Sequence, residues 1–252
     1  MDDGRWEGWC PVLSGVYQQL AACAPAWRMR VLSGPQAAPG PGWVRADGFA
    51  ARIDELVAGE AARILTDHGR AVPAHVAASR LLHHYLWSAC LLAGGPWYLA
   101  DLVPELSPCQ VWLHPATGEL ACRPGSCRTD GSPDQLRDTI GEFADPAVAA
   151  FQAVTRRGAR ALWGMVADDL VSGIWYLGRM LDREEHAATR AAELLPGGTA
   201  PLRGPAGFRR LPAGELTRTR AGCCMYYAIR PAEACLTCPR VGDAERTRRL
   251  TA

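Results

Sequence analysis

The sequence contains no lysine, and all 27 of its basic residues are arginine. Schiff-base chemistry and a phosphate-gripping P-loop both need that missing amine, so both are excluded. No run of 18 uninterrupted apolar residues occurs. The nearest candidate for a membrane span, Ala161 to Leu181, carries Asp168 and Asp169 in its middle, where a bilayer penalises charge. The N-terminal MDDGRWEGWC is acidic and lacks the apolar stretch of a secretory signal, which makes the cytoplasm the expected compartment. No G-x-G-x-x-G follows a predicted strand, so no nicotinamide or flavin site of its own is expected. Internal repeats, heptad runs and a helix-turn-helix are missing as well.

Net charge is +1 over 252 residues, which argues against a chain built as a whole to bind polyanions. The short basic end Arg246-Thr-Arg-Arg-Leu is too brief to add a nucleic-acid partner. Apolar residues make up 48%, enough at this length for a substantial core without disulfide staples.

Five segments read as helices. They are Pro11–Ala22, Asp47–His68 with Asp47 as N-cap and Gly69 as stop, and Pro73–Ala93 ending at Gly94-Gly95. A fourth opens on the capping box Ser132-Pro-Asp-Gln135. The fifth starts at Asp145-Pro146 and continues, with a break near Gly158, to Leu195. Its central part is apolar on more than one face, the pattern of a helix at the centre of a bundle. Gln110–His114 and Glu119–Cys122, joined by Pro-Ala-Thr-Gly, read as a β-hairpin. Extended pieces at Arg28–Leu32, Gly42–Arg45 and Arg209–Arg218 are candidates to join it in one small sheet. Pro/Gly-rich breaks at Gly34–Gly42 and Pro196–Gly207 read as loops. The expected fold is α+β, predominantly helical, with a helical body over residues 1–205 and a cysteine-rich segment over 206–252.

Ten cysteines are present, and four of them fall within sixteen residues: Cys223, Cys224, Cys235 and Cys238, spaced C-C-x10-C-x2-C. Four thiolates on one loop make a complete ligand set for zinc or for an iron–sulfur cluster. Structural zinc sites favour two chelating pairs, each separated by two to four residues, and here the first pair is adjacent. Adjacent side chains diverge in an extended segment, so both sulfurs reach one zinc only through a strained turn. A two-iron cluster accepts ligands from a wider range of directions. A zinc knuckle stapling the C-terminus stays open at this point. Cys10, Cys23 and Cys90 read as core or partly buried thiols, and Cys109, Cys122 and Cys127 as free thiols in preference to a second metal site on the Cys122-x4-Cys127 spacing.

The adjacent pair, the tyrosines that follow it and Pro239 after the last cysteine resemble the C-terminal signature of FhuF-like ferric-siderophore reductases. The stretch LeuTrpGlyMetValAlaAspAspLeu is similar to the helical body of actinobacterial members. The resemblance implies a [2Fe-2S] cluster on Cys223, Cys224, Cys235 and Cys238. It also implies one-electron reduction of Fe(III) held by a siderophore, usually of hydroxamate type, in the cytoplasm. Such chemistry needs no acid, base or nucleophile. With no cofactor fingerprint in the chain, electrons are expected from a separate ferredoxin or flavoprotein reductase. The alternatives are an iron–sulfur redox sensor and a zinc-stapled interaction protein.

From residue 209 onward nine arginines face four acids, a local excess of positive charge. Arg218, Arg220 and Arg230 flank the cysteines and are candidates to offset a cluster's charge or to attract an anionic partner. Trp97, Tyr98 and Trp112 read first as core and second as a substrate cleft. At least one of Asp168 and Asp169 is expected to be buried and hydrogen-bonded, whereas His83 and His84 read as packing or surface residues.

Overall fold

The computed structural model describes residues 10–32, 38–202, 204–212, 214–235 and 237–251. The acidic N-terminal stretch 1–9 and the first part of the Gly34–Gly42 loop lie outside them. Seven α-helices are described: α1 (Pro11–Cys23), α2 (Ile53–His68), α3 (Ala74–Ala100), α4 (Pro133–Thr155), α5 (Ala159–Met180), α6 (Glu184–Leu194) and α7 (Asp243–Thr251). Helix dominates and the strands are short, as expected from the sequence.

Helices α3 and α5 form the central pair, with α1, α2, α4 and α6 packed around them. Small residues set their approach. A Cβ at Gly94 would stand 3.2 Å from Leu170 Cδ1, and one at Gly173 would stand 3.0 Å from Leu91 Cγ. Gly95 admits Leu20 of α1 in the same way. The sequence pattern predicts an end to the third helix at Gly94-Gly95, but α3 runs on through both and through Pro96 to Ala100. Close packing against α5 and α1 supports these residues where intrinsic propensity would release them.

Two other helix limits differ from expectation. Helix α4 passes through Asp145-Pro146 without a break, because Pro146 lies on its exposed side. Asp47 does not cap α2; it sits in a 3-10 turn at Ala46–Gly48 and accepts from Arg45, and α2 begins at Ile53. Gly69 does stop α2, in the left-handed region at φ 62°. The capping box at α4 is half realised: Ser132 Oγ accepts from the Asp134 amide, while Gln135 donates to Asp130 instead of reaching back.

The hairpin forms as β4 (Val111–Leu113) and β5 (Leu120–Cys122), with β2 (Val44–Arg45) beside β4. Strand β1 (Met29–Val31) pairs with β5 in parallel, so the four-stranded sheet is mixed, in the order β1-β5-β4-β2. Strands β3 (Val103–Pro104) and β6 (Cys127–Arg128) form a second pair. The segment 209–218 does not join the hairpin's sheet; it makes its own ribbon of β7 (Phe208–Arg210) and β8 (Leu216–Arg218).

Cys10 and Cys127 form a disulfide and are not free thiols. The start of α1 and strand β6 bring them together across 117 residues of sequence, a pairing no local spacing discloses. Cys90 and Cys122 are buried, and burial pushes both thiols up, as befits inert core residues. Trp97 is fully buried and donates to Gly131 O, and Trp112 is 9% exposed; both belong to the core.

Candidate metal centre and the cleft beside it

Asp168 and Asp169 are consecutive on α5, about 100° apart around the helix axis, so they reach different neighbours. Both are buried. Asp168 Oδ1 accepts from Arg218 Nη2 at 2.6 Å and from the Ala221 amide at 3.1 Å, and Oδ2 accepts from the Gly222 amide at 2.6 Å. Asp169 meets His83 Nδ1 of α3 at 2.8 Å and Arg220 Nη2 at 3.1 Å. One pair of carboxylates thus pins the strand end and the loop that delivers Cys223. The approach is tight: a Cβ at Gly222 would lie 2.9 Å from Met165 Cγ and 3.2 Å from Asp168 Oδ2. Gly222→Ala therefore lowers stability by about 1–3 kcal/mol, measured as a fall in the denaturation midpoint, because the loop or α5 must give way.

Beyond Cys224 the chain turns back at Met225, which adopts φ 60°, and enters 3-10 turns at Tyr226–Ala228 and Pro231–Glu233. The Cys238 amide donates to Cys235 O at 2.9 Å, closing the second cysteine pair into a tight turn. Arginines from distant elements hold the loop by its carbonyls. Arg157 Nη1 donates to Cys223 O at 2.7 Å, Arg246 Nη2 of α7 to Cys238 O at 2.8 Å, and Arg80 Nη1 of α3 to Cys224 O at 3.4 Å. Arg80 also lies over the Tyr226 ring, 5.1 Å from its centroid.

The four sulfurs share one electrostatic neighbourhood. The Cys235 thiol donates to Cys224, which lowers the Cys224 pKa to about 4; burial opposes this, and His83, Arg80 and Arg220 assist it. Cys235, as the donor, is correspondingly raised. Burial raises Cys223, while the Met225 amide acts the other way. Among the described residues no three cysteine, histidine, aspartate or glutamate side chains already converge at single-ion distances. The donor set nonetheless fits a thiolate-ligated cluster. Its formal charge of about −2, or −3 when reduced, needs cations and hydrogen-bond donors nearby. Here Arg220 and Arg246 each bury an Nε–H that has no hydrogen-bond partner among the described residues, although Arg220 Nε lies 3.6 Å from Asp168 Oδ2.

Of the three flanking arginines, Arg220 alone faces the cysteines. Burial works against its charge, yet Asp169, Asp168 and the sulfurs of Cys224 and Cys235 hold its pKa above the ordinary value. Arg218 is 1% exposed and bound to Asp168, Ser172 Oγ and Ala206 O, so it is not open to an anionic partner. Arg230 is exposed and pairs with Glu233. Sequence reasoning misses Arg80, Arg157, Arg246 and the hydrogen bond of His83 to Asp169. Each contacts the loop or its carboxylates from another element, and no local motif signals that.

Next to the loop lies an open cleft with two lobes that share His83 and Trp87. One lobe, about 320 Å3, adds Ser172, Trp175, Arg179, Arg220 and Thr237. The other, about 240 Å3, adds Arg28, Arg80 and His84. Thr237 sits between Cys235 and Cys238, so the cleft borders the cysteine loop directly. Trp97, Tyr98 and Trp112 are not part of it.

The fold and site define a helical body carrying a loop of four clustered thiols, with Cys224 and Cys238 buried and Cys223 and Cys235 partly exposed. Residues 220–240 match the family described as FhuF 2Fe-2S C-terminal domain, and the cofactor of that domain is a [2Fe-2S] cluster. The match begins at Arg220 and ends at Arg240, enclosing all four cysteines. No curated protein matches the chain. Among the described residues no helix is long and apolar enough to cross a membrane.

Proposed function

We propose that this chain is a cytoplasmic ferric-siderophore reductase, with Cys223, Cys224, Cys235 and Cys238 as the cluster ligands. The body is residues 1–205 and the cluster segment 206–252. The reading rests on one observation above all: the segment matching a 2Fe-2S family carries four clustered cysteines and reaches an open cleft through Arg220 and Thr237. When bound, a [2Fe-2S] cluster supplies one electron at low potential. Fe(III) is held tightly by hard oxygen donors and Fe(II) far more weakly, so a single electron suffices for release. No side chain has to move a proton.

The chain's own residues do the positioning. Asp168 fixes the loop's entry, and Arg157, Arg246 and Arg80 fix the carbonyls of Cys223, Cys238 and Cys224. Arg220 supplies positive charge beside the sulfurs. Electrons come from a separate ferredoxin or flavoprotein reductase.

The test is anaerobic purification followed by visible and EPR spectra, then stopped-flow mixing of the dithionite-reduced protein with ferric chelates. The expected result is a coloured protein with a two-iron signature that is reoxidised by ferric siderophore as Fe(II) appears. A colourless protein with one zinc overturns the reading in favour of a zinc staple. A reduced cluster left unoxidised by bound ferric chelate overturns it in favour of a sensor.

A further inference from the structure

The cleft's two lobes present several positive groups to solvent and very little negative charge. Arg28, Arg80 and Arg179 line it, and none of the three is salt-bridged to a carboxylate among the described residues. Asp169 lies beneath the cleft, fully buried and committed to His83 and Arg220. At the Trp175 end Arg179 also lines a neighbouring pocket with Asp182, Glu184 and Glu185; Glu184 accepts from Trp175 Nε1 at 2.7 Å and Glu185 pairs with Arg210. The positive field acts on the cleft's own residues. Burial lowers the His84 pKa to about 4, and Arg63, His83, Arg80 and Arg28 add to the effect.

The walls add flat apolar surface. Trp87 is half-buried at the junction of the lobes and meets Tyr176 edge-on at 5.5 Å. Trp175, also half-buried, has Arg179 over its ring at 5.9 Å. Aromatic and guanidinium faces together bind planar anionic rings, through stacking and through charge. The combined lobes are of ligand-pocket size.

Resting on the reading of this chain as a ferric-chelate reductase, and departing from the hydroxamate type that the resemblance implies, we propose that this cleft is the substrate site and that it selects polyanionic tris-catecholate chelates over trihydroxamates. A ferric tris-catecholate carries about three negative charges on three aryl rings, whereas ferric trihydroxamates are neutral or cationic and have no aryl ring. Arg28 and Arg179 draw the chelate in, and Trp87 and Trp175 receive its rings. Thr237 marks the edge where the bound iron comes nearest the cysteine loop. In the reaction the reduced cluster is oxidised by one electron and the bound Fe(III) is reduced to Fe(II), with an external electron-carrier protein restoring the cluster.

Gallium(III) chelates test binding apart from reduction, because Ga(III) does not accept the electron. The oxidised holoprotein is titrated calorimetrically with Ga(III) tris-catecholate and with a Ga(III) trihydroxamate. The comparison is between wild type, an Arg28→Glu/Arg179→Glu double variant and an Arg160→Glu control at the exposed start of α5. The expected result is tighter catecholate binding in wild type, weakened about tenfold or more by the double variant and little changed by the control. Wild-type catecholate affinity is also expected to fall as salt rises, a measurement that stands if the double variant fails to fold. Equal affinity for the two chelates, or a double variant that binds catecholate as wild type does, overturns the proposal. Should the Ga(III) catecholate bind as described while the reduced protein reduces no ferric chelate, catecholate or hydroxamate, the cleft assignment stands and the reductase reading falls. If instead the protein reduces ferric chelates but its cleft shows no charge preference, the reductase reading stands and the cleft assignment falls.

Discussion

Serine in place of Cys224 or Cys235 yields protein that lacks the visible absorbance of a cluster and has lost most of its iron. Reduction of ferric chelates falls by more than the about 10–100-fold cost typical of removing a mere outer-shell partner of a metal. The two sulfurs are hydrogen-bonded to each other, and Cys224 is the thiol most readily ionised, set among Arg80, Arg220 and His83. An alcohol at either position remains protonated in that setting and is a poor ligand for iron. Cys90→Ser supplies the contrast. Cys90 is also buried, with its sulfur 3.8 Å from Val166 O, but it lies in the α3–α5 core and not in the loop. That variant keeps its colour and loses only stability. Iron content and absorbance report the outcome independently of activity. A Cys224→Ser protein with unchanged spectrum and iron content would remove the four-cysteine ligand assignment.

Asp168→Ala lowers the stability of the protein by about 3–5 kcal/mol, a large share of the total for any single domain. The substitution strands the Arg218 guanidinium, 1% exposed, without its carboxylate. It also leaves the Ala221 and Gly222 amides without the acceptor that positions the loop before Cys223. The pair itself adds little net stability. Burial pushes the Asp168 carboxyl up despite Arg218, Arg220 and the Gly222 amide, and burial likewise pulls Arg218 down. Both shifts disfavour the charged forms, so desolvation outweighs mutual attraction. Removing both charges is therefore expected to cost far less than removing one. Asp168→Leu/Arg218→Met recovers much of the stability in chemical denaturation, yet loads its cluster poorly because the two loop amides have lost their anchor. If the double variant proves as unstable as Asp168→Ala, the pair is a net source of stability and desolvation does not dominate it.

These two sites show how far local patterns reach. Burial of at least one aspartate in the α5 stretch is legible in the sequence, because a carboxylate inside an apolar helix must find a partner. Which partner it finds is not. Arg218 lies 50 residues away and His83 lies 86 residues from Asp169, distances that only packing closes. The hairpin of β4 and β5 is legible from two short apolar runs and the turn between them, but the parallel addition of β1 is not, since a parallel neighbour leaves no turn signal beside it. The run through Gly94-Gly95-Pro96 fails as a helix stop for a related reason. Glycine and proline weaken a helix intrinsically, and close packing against α5 and α1 overrides that preference.

The chemistry of the chain is written locally. Four cysteines in C-C-x10-C-x2-C are a property of neighbouring residues, and they suffice to indicate a thiolate ligand set for zinc or an iron–sulfur cluster; the missing lysine and dinucleotide loop exclude Schiff-base chemistry and a nicotinamide fingerprint. The surroundings of that chemistry are decided only in three dimensions. The arginines that grip the loop come from α3, α7 and the turn before α5; the carboxylates beneath it come from α5; and the cleft joins α3, α5 and the residue before β1. A ligand motif is short because metal bonds span a few ångströms along one loop. A site's field and shape are long-range in sequence because burial gathers distant side chains around it.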